Sequence, residues 1–292
     1  MQSSDKIYFS LPGFYLHFNL IKEVLYLYET ERFKFKDNVV IDSLYDSFPC
    51  IWNGGRFLFG ETNLANIRAT FAAFHQKIGL RLTFTNSLLT SQHCLDTLGN
   101  VILEEAVKQS PQVGITVNSP VLKNYIEEKY PNLFYFNWSA TKVLEDIAEI
   151  NALSENDCVI PSYQLINNNF DKLQLLKYPQ NIELICDEAC IDNCPHRATH
   201  YCSFNKVQLF QEEQPEVCPY APGKDFYGRK TGRKHNISPL DIETKYLPLG
   251  FQHFKIAGRE DIDVNLIESF VYYLIKDEYK DEVRNHLLNL CY

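Results

Sequence analysis

Five of the nine cysteines in this chain, Cys186, Cys190, Cys194, Cys202 and Cys218, fall within residues 186–218. Thiolates hold iron–sulfur clusters or zinc in sets of four, with a short spacing placing two on one loop and a distant residue closing the site. Cys194 and Cys218 are each followed by proline, which stiffens the chain as it leaves a ligand. The gaps of three residues between Cys186, Cys190 and Cys194 match neither the two-residue gaps of a zinc ribbon nor a CxxxCxxC triplet. The expected ligands are Cys190, Cys194, Cys202 and Cys218, holding an iron–sulfur cluster, with zinc or no metal as the alternatives. Cys186 continues an apolar strand and is an alternate ligand. His200 is the other, because imidazole ligates iron in some clusters. Cys50, Cys94, Cys158 and Cys291 are scattered singly and read as small buried hydrophobes.

The elements that must position this group follow a regular alternation. Eight short β-branched or aromatic runs begin near Lys6, Asn38, Leu80, Val113, Leu133, Asp157, Ile182 and His253, separated by segments of helical period. Ser119-Pro120 is an N-cap followed by proline at the first helical position. Apolar stripes follow at Leu122, Tyr125 and Ile126, at Val143, Leu144, Ile147 and Ile150, and at Ile267, Phe270, Val271 and Leu274. Eight βα units and 292 residues predict a (β/α)8 TIM-like barrel, a fold of typically ~250 residues, as one domain over 1–292. The long connection between the seventh and eighth strands, 187–252, reads as a cluster-binding and loop insertion.

Asp42, Asn86, Asn118, Asn137, Ser162, Asp187 and Glu188 recur at the predicted strand ends. In a barrel such residues gather at the C-terminal rim, where active sites are built, although Asn and Asp also cap turns there. The catalytic candidates are Glu188, Arg259, Asn118 and Asn137, and the substrate-binding candidates are Asn86, Arg56, Asn53 and Lys255. Asn53-Gly54-Gly55-Arg56 offers backbone N–H groups and a guanidinium to an anion, or forms a plain tight turn.

The cysteine group after the seventh strand, followed by Phe254-Lys255-Ile256-Ala257-Gly258-Arg259, resembles peptidase family U-thirty-two, the collagenase-like peptidases. The closing run is similar to the family's FKIEGR-like signature, with Ala257 where an acid is common. The resemblance implies a TIM-like barrel and, in several branches, a four-cysteine [4Fe-4S] cluster. Those branches include oxygen-independent hydroxylases, so the resemblance implies an iron–sulfur oxidoreductase.

Two rival functions stay open: a metal-stapled scaffold that binds RNA or protein, and a hydrolase with Glu188 as general base at a zinc-bound water. The expected substrate is a small molecule, a peptide or RNA, with an electron-transfer partner for the redox reading. Lys224, Arg229, Lys230, Arg233 and Lys234, with Phe226 and Tyr227 between them, form a local basic run that could dock RNA. The rest of the chain argues against a nucleic-acid-coating surface, with 28 basic and 37 acidic residues and a net charge of −9. No run reads as a membrane span or a secretory signal, so a reducing cytoplasm is the expected compartment.

Overall fold

The alternating pattern folds into eight parallel strands: β1 (Ile7–Pro12), β2 (Val39–Asp46), β3 (Gly79–Phe84), β4 (Val113–Val117), β5 (Phe134–Trp138), β6 (Cys158–Val159), β7 (Glu183–Ile185) and β8 (His253–Lys255). The structure is a computed structural model that describes residues 6–54, 63–74, 77–109, 113–219, 232–258 and 263–291. The strands pair in the order β6-β5-β4-β3-β2-β1-β8-β7. A single parallel bridge between Val159 and Ile182 brings β6 to β7 and closes the ring. The fold is a (β/α)8 TIM-like barrel.

The helices lie between the strands in sequence: α1 (Phe18–Thr30), α2 (Leu64–Phe74), α3 (Thr97–Gln109), α4 (Pro120–Lys129), α5 (Ile147–Ser154), the short α6 (Tyr163–Ile166) and α7 (Phe170–Leu173), α8 (Arg197–Gln208), the single turn α9 (Pro239–Asp241), α10 (Asp263–Leu274) and α11 (Lys280–Cys291). Ser119 caps α4 as its sequence predicts, its side chain accepting from the Leu122 amide, and Asp146 caps α5 in the same way. One apolar layer joins helices to strands, with Phe9, Leu82, Ile115, Phe136 and Phe254 packing against residues such as Ile21, Phe71, Ile102, Ile126 and Leu266.

Several strands differ in length from the runs in the sequence. β6 stops after Cys158–Val159, because Pro161 has no N–H to extend the ladder. β2 continues to Asp46, so Asp42 lies low in the barrel and not at the C-terminal rim. There it lines an open cavity with Gly79, Arg81 and Tyr135.

The barrel interior is polar, whereas barrel interiors are usually filled by branched aliphatic side chains. The strand registers bring Ser10, Ser43, Arg81, Thr83, Thr116, Asn137 and Glu183 to the inner face, opposite the helix-packed Phe9, Leu82, Ile115, Phe136 and Leu184. The Arg81 guanidinium crosses the interior to Glu183 (Nη1–Oε1 2.6 Å) and reaches Asp42 (Nη2–Oδ2 3.2 Å). Ser10 donates to Glu183 and shares a 2.9 Å hydrogen bond with Ser43. Gly114 is required here, since a Cβ would stand 2.5 Å from the Tyr135 ring that flanks Arg81. Burial alone would raise the Glu183 carboxyl, but the charges of Arg81 and then Lys255, with the Ser10 hydrogen bond, hold it down at about 2.

Candidate active site

Above this ion pair, at the C-terminal end, a cavity of about 70 Å³ opens between the strand ends. Tyr45, Thr83, Thr116, Lys255, Glu188 and Tyr201 supply its polar lining, and Ala140, Ile160, Ile185 and Ala257 an apolar wall. Lys255 ends β8 and points inward: its Nζ stands 2.9 Å from the centre of the Tyr45 ring and 4.0 Å from Glu183 Oε2. The Tyr45 hydroxyl donates to the Ile256 carbonyl at 2.6 Å, fixing the ring beneath the ammonium. Glu188 lies beyond the end of β7, where its Oε1 accepts from the Ala189 amide.

Asn137 and Thr116 are paired in register on β5 and β4 and are almost wholly buried. Among the described residues, neither polar atom of the Asn137 amide has a hydrogen-bond partner, and nor does the Thr116 hydroxyl. Most other polar groups of the rim are committed to the protein. Thr83 donates to the Asp46 carbonyl, Thr85 to the Gly54 carbonyl, and Thr141 to Ser139. Asn118 donates to Thr141 at 2.9 Å, so it supports the cavity wall.

Of the eight residues expected to catalyse or bind substrate, the structure brings Lys255 and Glu188 to the cavity, with Asn137 and Asn118 beside it. Asn86 is committed elsewhere, donating to the carbonyls of Ile51 and Asn205 and accepting from the Leu88 amide, which ties the β2–α2 connection to α8. Asn53 is fully buried next to Gly54, whose Cα packs on Asn86 and Asn205. Arg56 and Arg259 lie outside the described residues, as do Lys224, Arg229 and Lys230 of the basic run.

The cysteine loop is bound to this rim by groups that the sequence reading passed over. Arg197, the first residue of α8, is buried with its guanidinium 4.0 Å over the Tyr163 ring. It donates to Ser162 Oγ at 2.9 Å and to the Ala140 carbonyl at 3.0 Å. The His235 ring lies 4.9 Å from that of Tyr163, tilted by 50°, and its two ring nitrogens face Asp192 Oδ1 (2.9 Å) and the Glu188 carbonyl (3.1 Å). Cys190 packs against the apolar wall formed by Ala140, Ile160, Tyr163, Ile185 and Ala257. Burial pushes its thiol up to about 12, with the Glu188 carboxylate and the neighbouring Cys194 adding to the shift.

The expected four-thiolate set is met only in part. Cys190 and Cys194 adjoin, but among the described residues no group of three or more His, Cys, Asp or Glu is arranged to hold a metal. Cys202 lies on α8, and the segment leading to Cys218 folds back on that helix, where the Glu216 amide donates to Ser203 Oγ at 2.6 Å. Cys186, the alternate, is fully buried in the main apolar core, with its thiol raised by burial. The His200 Nε2 is buried without a partner among the described residues, and its ring lies 6.1 Å from that of His196. Asp187 serves the fold: its carboxylate accepts from the Ala257 amide at 2.7 Å and from Ser269 on α10 at 2.9 Å.

A solved structure of a U32 peptidase superposes with a TM-score of 0.52, covering 90% of this chain and 96% of that one at 12% identity. The chain has a U32-peptidase-like barrel fold. At that identity the likeness concerns the fold alone. No family model matches the U32-like barrel, and no curated protein matches its sequence. Among the described residues, no helix is long and apolar enough to cross a membrane.

Proposed function

We propose that this U32-like barrel is an enzyme that takes the polar end of a substrate into the rim cavity and modifies it beside the cysteine loop. The observation carrying this reading is Asn137, a fully buried amide with both polar atoms unpartnered, in register with the equally unpartnered Thr116. Buried polar groups are almost always satisfied, and those that are not mark strain or a binding role. Replacing Asn137 by leucine is expected to raise the melting temperature of the free protein, since an unpaired buried amide costs about 1–3 kcal/mol. The same change is expected to abolish turnover. A lower melting temperature in Asn137→Leu, measured by calorimetry, would show that the amide is satisfied within the fold and sink this reading.

The reaction favoured is an iron–sulfur-dependent redox modification, such as an oxygen-independent hydroxylation. Its support is the cysteine spacing and the position of Cys190, next to Cys194 and against the cavity wall. Among the described residues no group of three or more metal-ligating side chains is assembled. Anaerobic reconstitution with iron and sulfide is expected to yield brown protein with about four irons per chain, and Cys194→Ser to lose them. Colourless protein after such loading would overturn the redox reading.

The hydrolytic reading has one observation in its favour: Glu188 lines the cavity together with Tyr201 and Lys255, as a general base and two proton-bearing groups would. The structural neighbour also bears the name of a peptidase. Chelator-sensitive cleavage of an unstructured peptide by colourless protein would favour this reading over the redox one.

A further inference from the structure

A second cavity, of about 460 Å³, lies at the opposite end of the barrel from the rim, where β3, β4 and β5 begin. Its volume is that of a small-molecule site, whereas the N-terminal end of a barrel ordinarily serves stability. Leu133 and Tyr135, two residues apart at the start of β5, project to one side of the sheet and line this cavity. They are 49% and 42% exposed, so the fold does not cover this wall. The Tyr135 ring is backed by β4, because Gly114 has no Cβ to hold it off.

Arg81 and Asp42 bring charge to the same cavity. The buried guanidinium donates to Glu183 Oε1 (2.6 Å), Asp42 Oδ2 (3.2 Å) and the Tyr135 hydroxyl (3.4 Å). It is already held between two carboxylates, so an incoming anion would compete with partners that the fold provides. Asp42 is the accessible member, with its side chain 35% exposed. Among the described residues its Oδ1 has no hydrogen-bond partner. A carboxylate oxygen beside an open aromatic face suits an ammonium, whose N–H groups donate to the oxygen while the ring attracts its charge. We infer that this cavity is a second ligand site, taking a small organic ammonium that donates to Asp42 Oδ1 and lays its apolar body along Tyr135 and Leu133.

An uncharged apolar molecule would fit the same wall, but it would take water from the Asp42 carboxylate and put no donor in its place. This cavity shares no lining residue with the rim cavity. The inference therefore stands whether or not the rim carries out chemistry.

Phenethylamine, 2-phenylethanol and 3-phenylpropanoate are similar in shape and differ in charge, so their titration by calorimetry or NMR at constant ionic strength tests it. The amine is expected to bind about tenfold or more tightly than the alcohol, a difference reflecting one charge-assisted contact, and the acid more weakly than either. Its binding is expected to shift the backbone amides of Gly79 and Gly114 and to leave those of Thr141 and Gly258 at the rim unmoved. Asp42→Asn, a change at a partly exposed side chain, is expected to erase the preference for the amine while the protein still melts cooperatively. Should that variant fail to fold, Tyr135→Leu keeps the carboxylate and is expected to weaken the amine about threefold. Equal affinity for amine and alcohol, a preference for the acid, shifts confined to the rim, or no detectable binding of the amine overturns the inference.

Discussion

Replacing Arg81 by methionine is expected to cost about 3–5 kcal/mol of stability, because it strands the fully buried Glu183 carboxylate without its closest cation. Lys255, 4.0 Å away, remains as a weaker partner, and the Asp42 contact is lost with little consequence because that carboxylate is partly exposed. The double change Arg81→Met with Glu183→Met is expected to be less destabilised than Arg81→Met alone, since no uncompensated carboxylate is left. Urea-unfolding free energies of the wild-type, single and double variants give the comparison. A loss below about 1 kcal/mol for Arg81→Met would mean that the ion pair is well hydrated.

The same pair sets an acid limb. The Glu183 carboxyl is held at about 2, below its ordinary 4.5. A carboxyl lowered by folding stabilises the native state fully above its unfolded value and loses that contribution as pH falls. The wild type is therefore expected to weaken between pH 4.5 and about 2. In Arg81→Met, burial dominates and Glu183 can take up a proton, so the gap between variant and wild type narrows on acidification. A gap that is constant with pH would place the cost elsewhere.

Arg197→Met is the second large effect expected, about 2–4 kcal/mol, with its consequences concentrated in the cysteine loop. The change removes two charge-assisted hydrogen bonds, to Ser162 Oγ and the Ala140 carbonyl, together with a desolvated cation over the Tyr163 ring. The Ala140 carbonyl and Ser162 hydroxyl are then left without that donor next to the cavity wall. Amide hydrogen exchange is expected to accelerate from Cys186 to Cys202 in the variant, while β1 to β4 keep their protection in proportion to global stability. Uniform acceleration across the chain would show that Arg197 supports the whole barrel and does not specifically fix the loop.

Together these effects describe a rim held by buried charge. Arg81 and Glu183 brace the interior below the cavity, Arg197 pins the start of α8 to the β5 and β6 ends, and His235 fastens the loop at Glu188 and Asp192. Cys190 is thereby kept against the apolar wall of the cavity. The cavity offers chemistry a carboxylate, Glu188, and an ammonium, Lys255, with Cys190 packed on its apolar wall.

The sequence by itself determined the barrel. Eight β-branched or aromatic runs separated by helical stripes leave few ways to bury both faces of a parallel sheet, and caps such as Ser119 mark where helices begin. It also contained a signal that was passed over. The polar residues of Leu80-Arg81-Leu82-Thr83-Phe84 and Phe134-Tyr135-Phe136-Asn137-Trp138 recur with period two, whereas a strand with aliphatic neighbours on both faces reads as a continuous apolar run. That alternation announces a polar interior.

What the sequence could not determine was which polar residues meet. Asn86, Asn118 and Asn137 look alike as strand-end asparagines, yet one ties loops together, one braces a threonine and one faces the interior unpaired. The pairing of Arg81 with Glu183 spans four strands, and no spacing along the chain encodes it. The cysteines show the same limit from the other side. Closeness along the chain grouped five of them, but strand direction buries Cys186 in the core, Cys202 rides on α8, and Cys190 adjoins Cys194. Periodicity is a local property that fixes elements; contact between side chains depends on how the ring closes and which way each strand faces, and only the tertiary structure decides that.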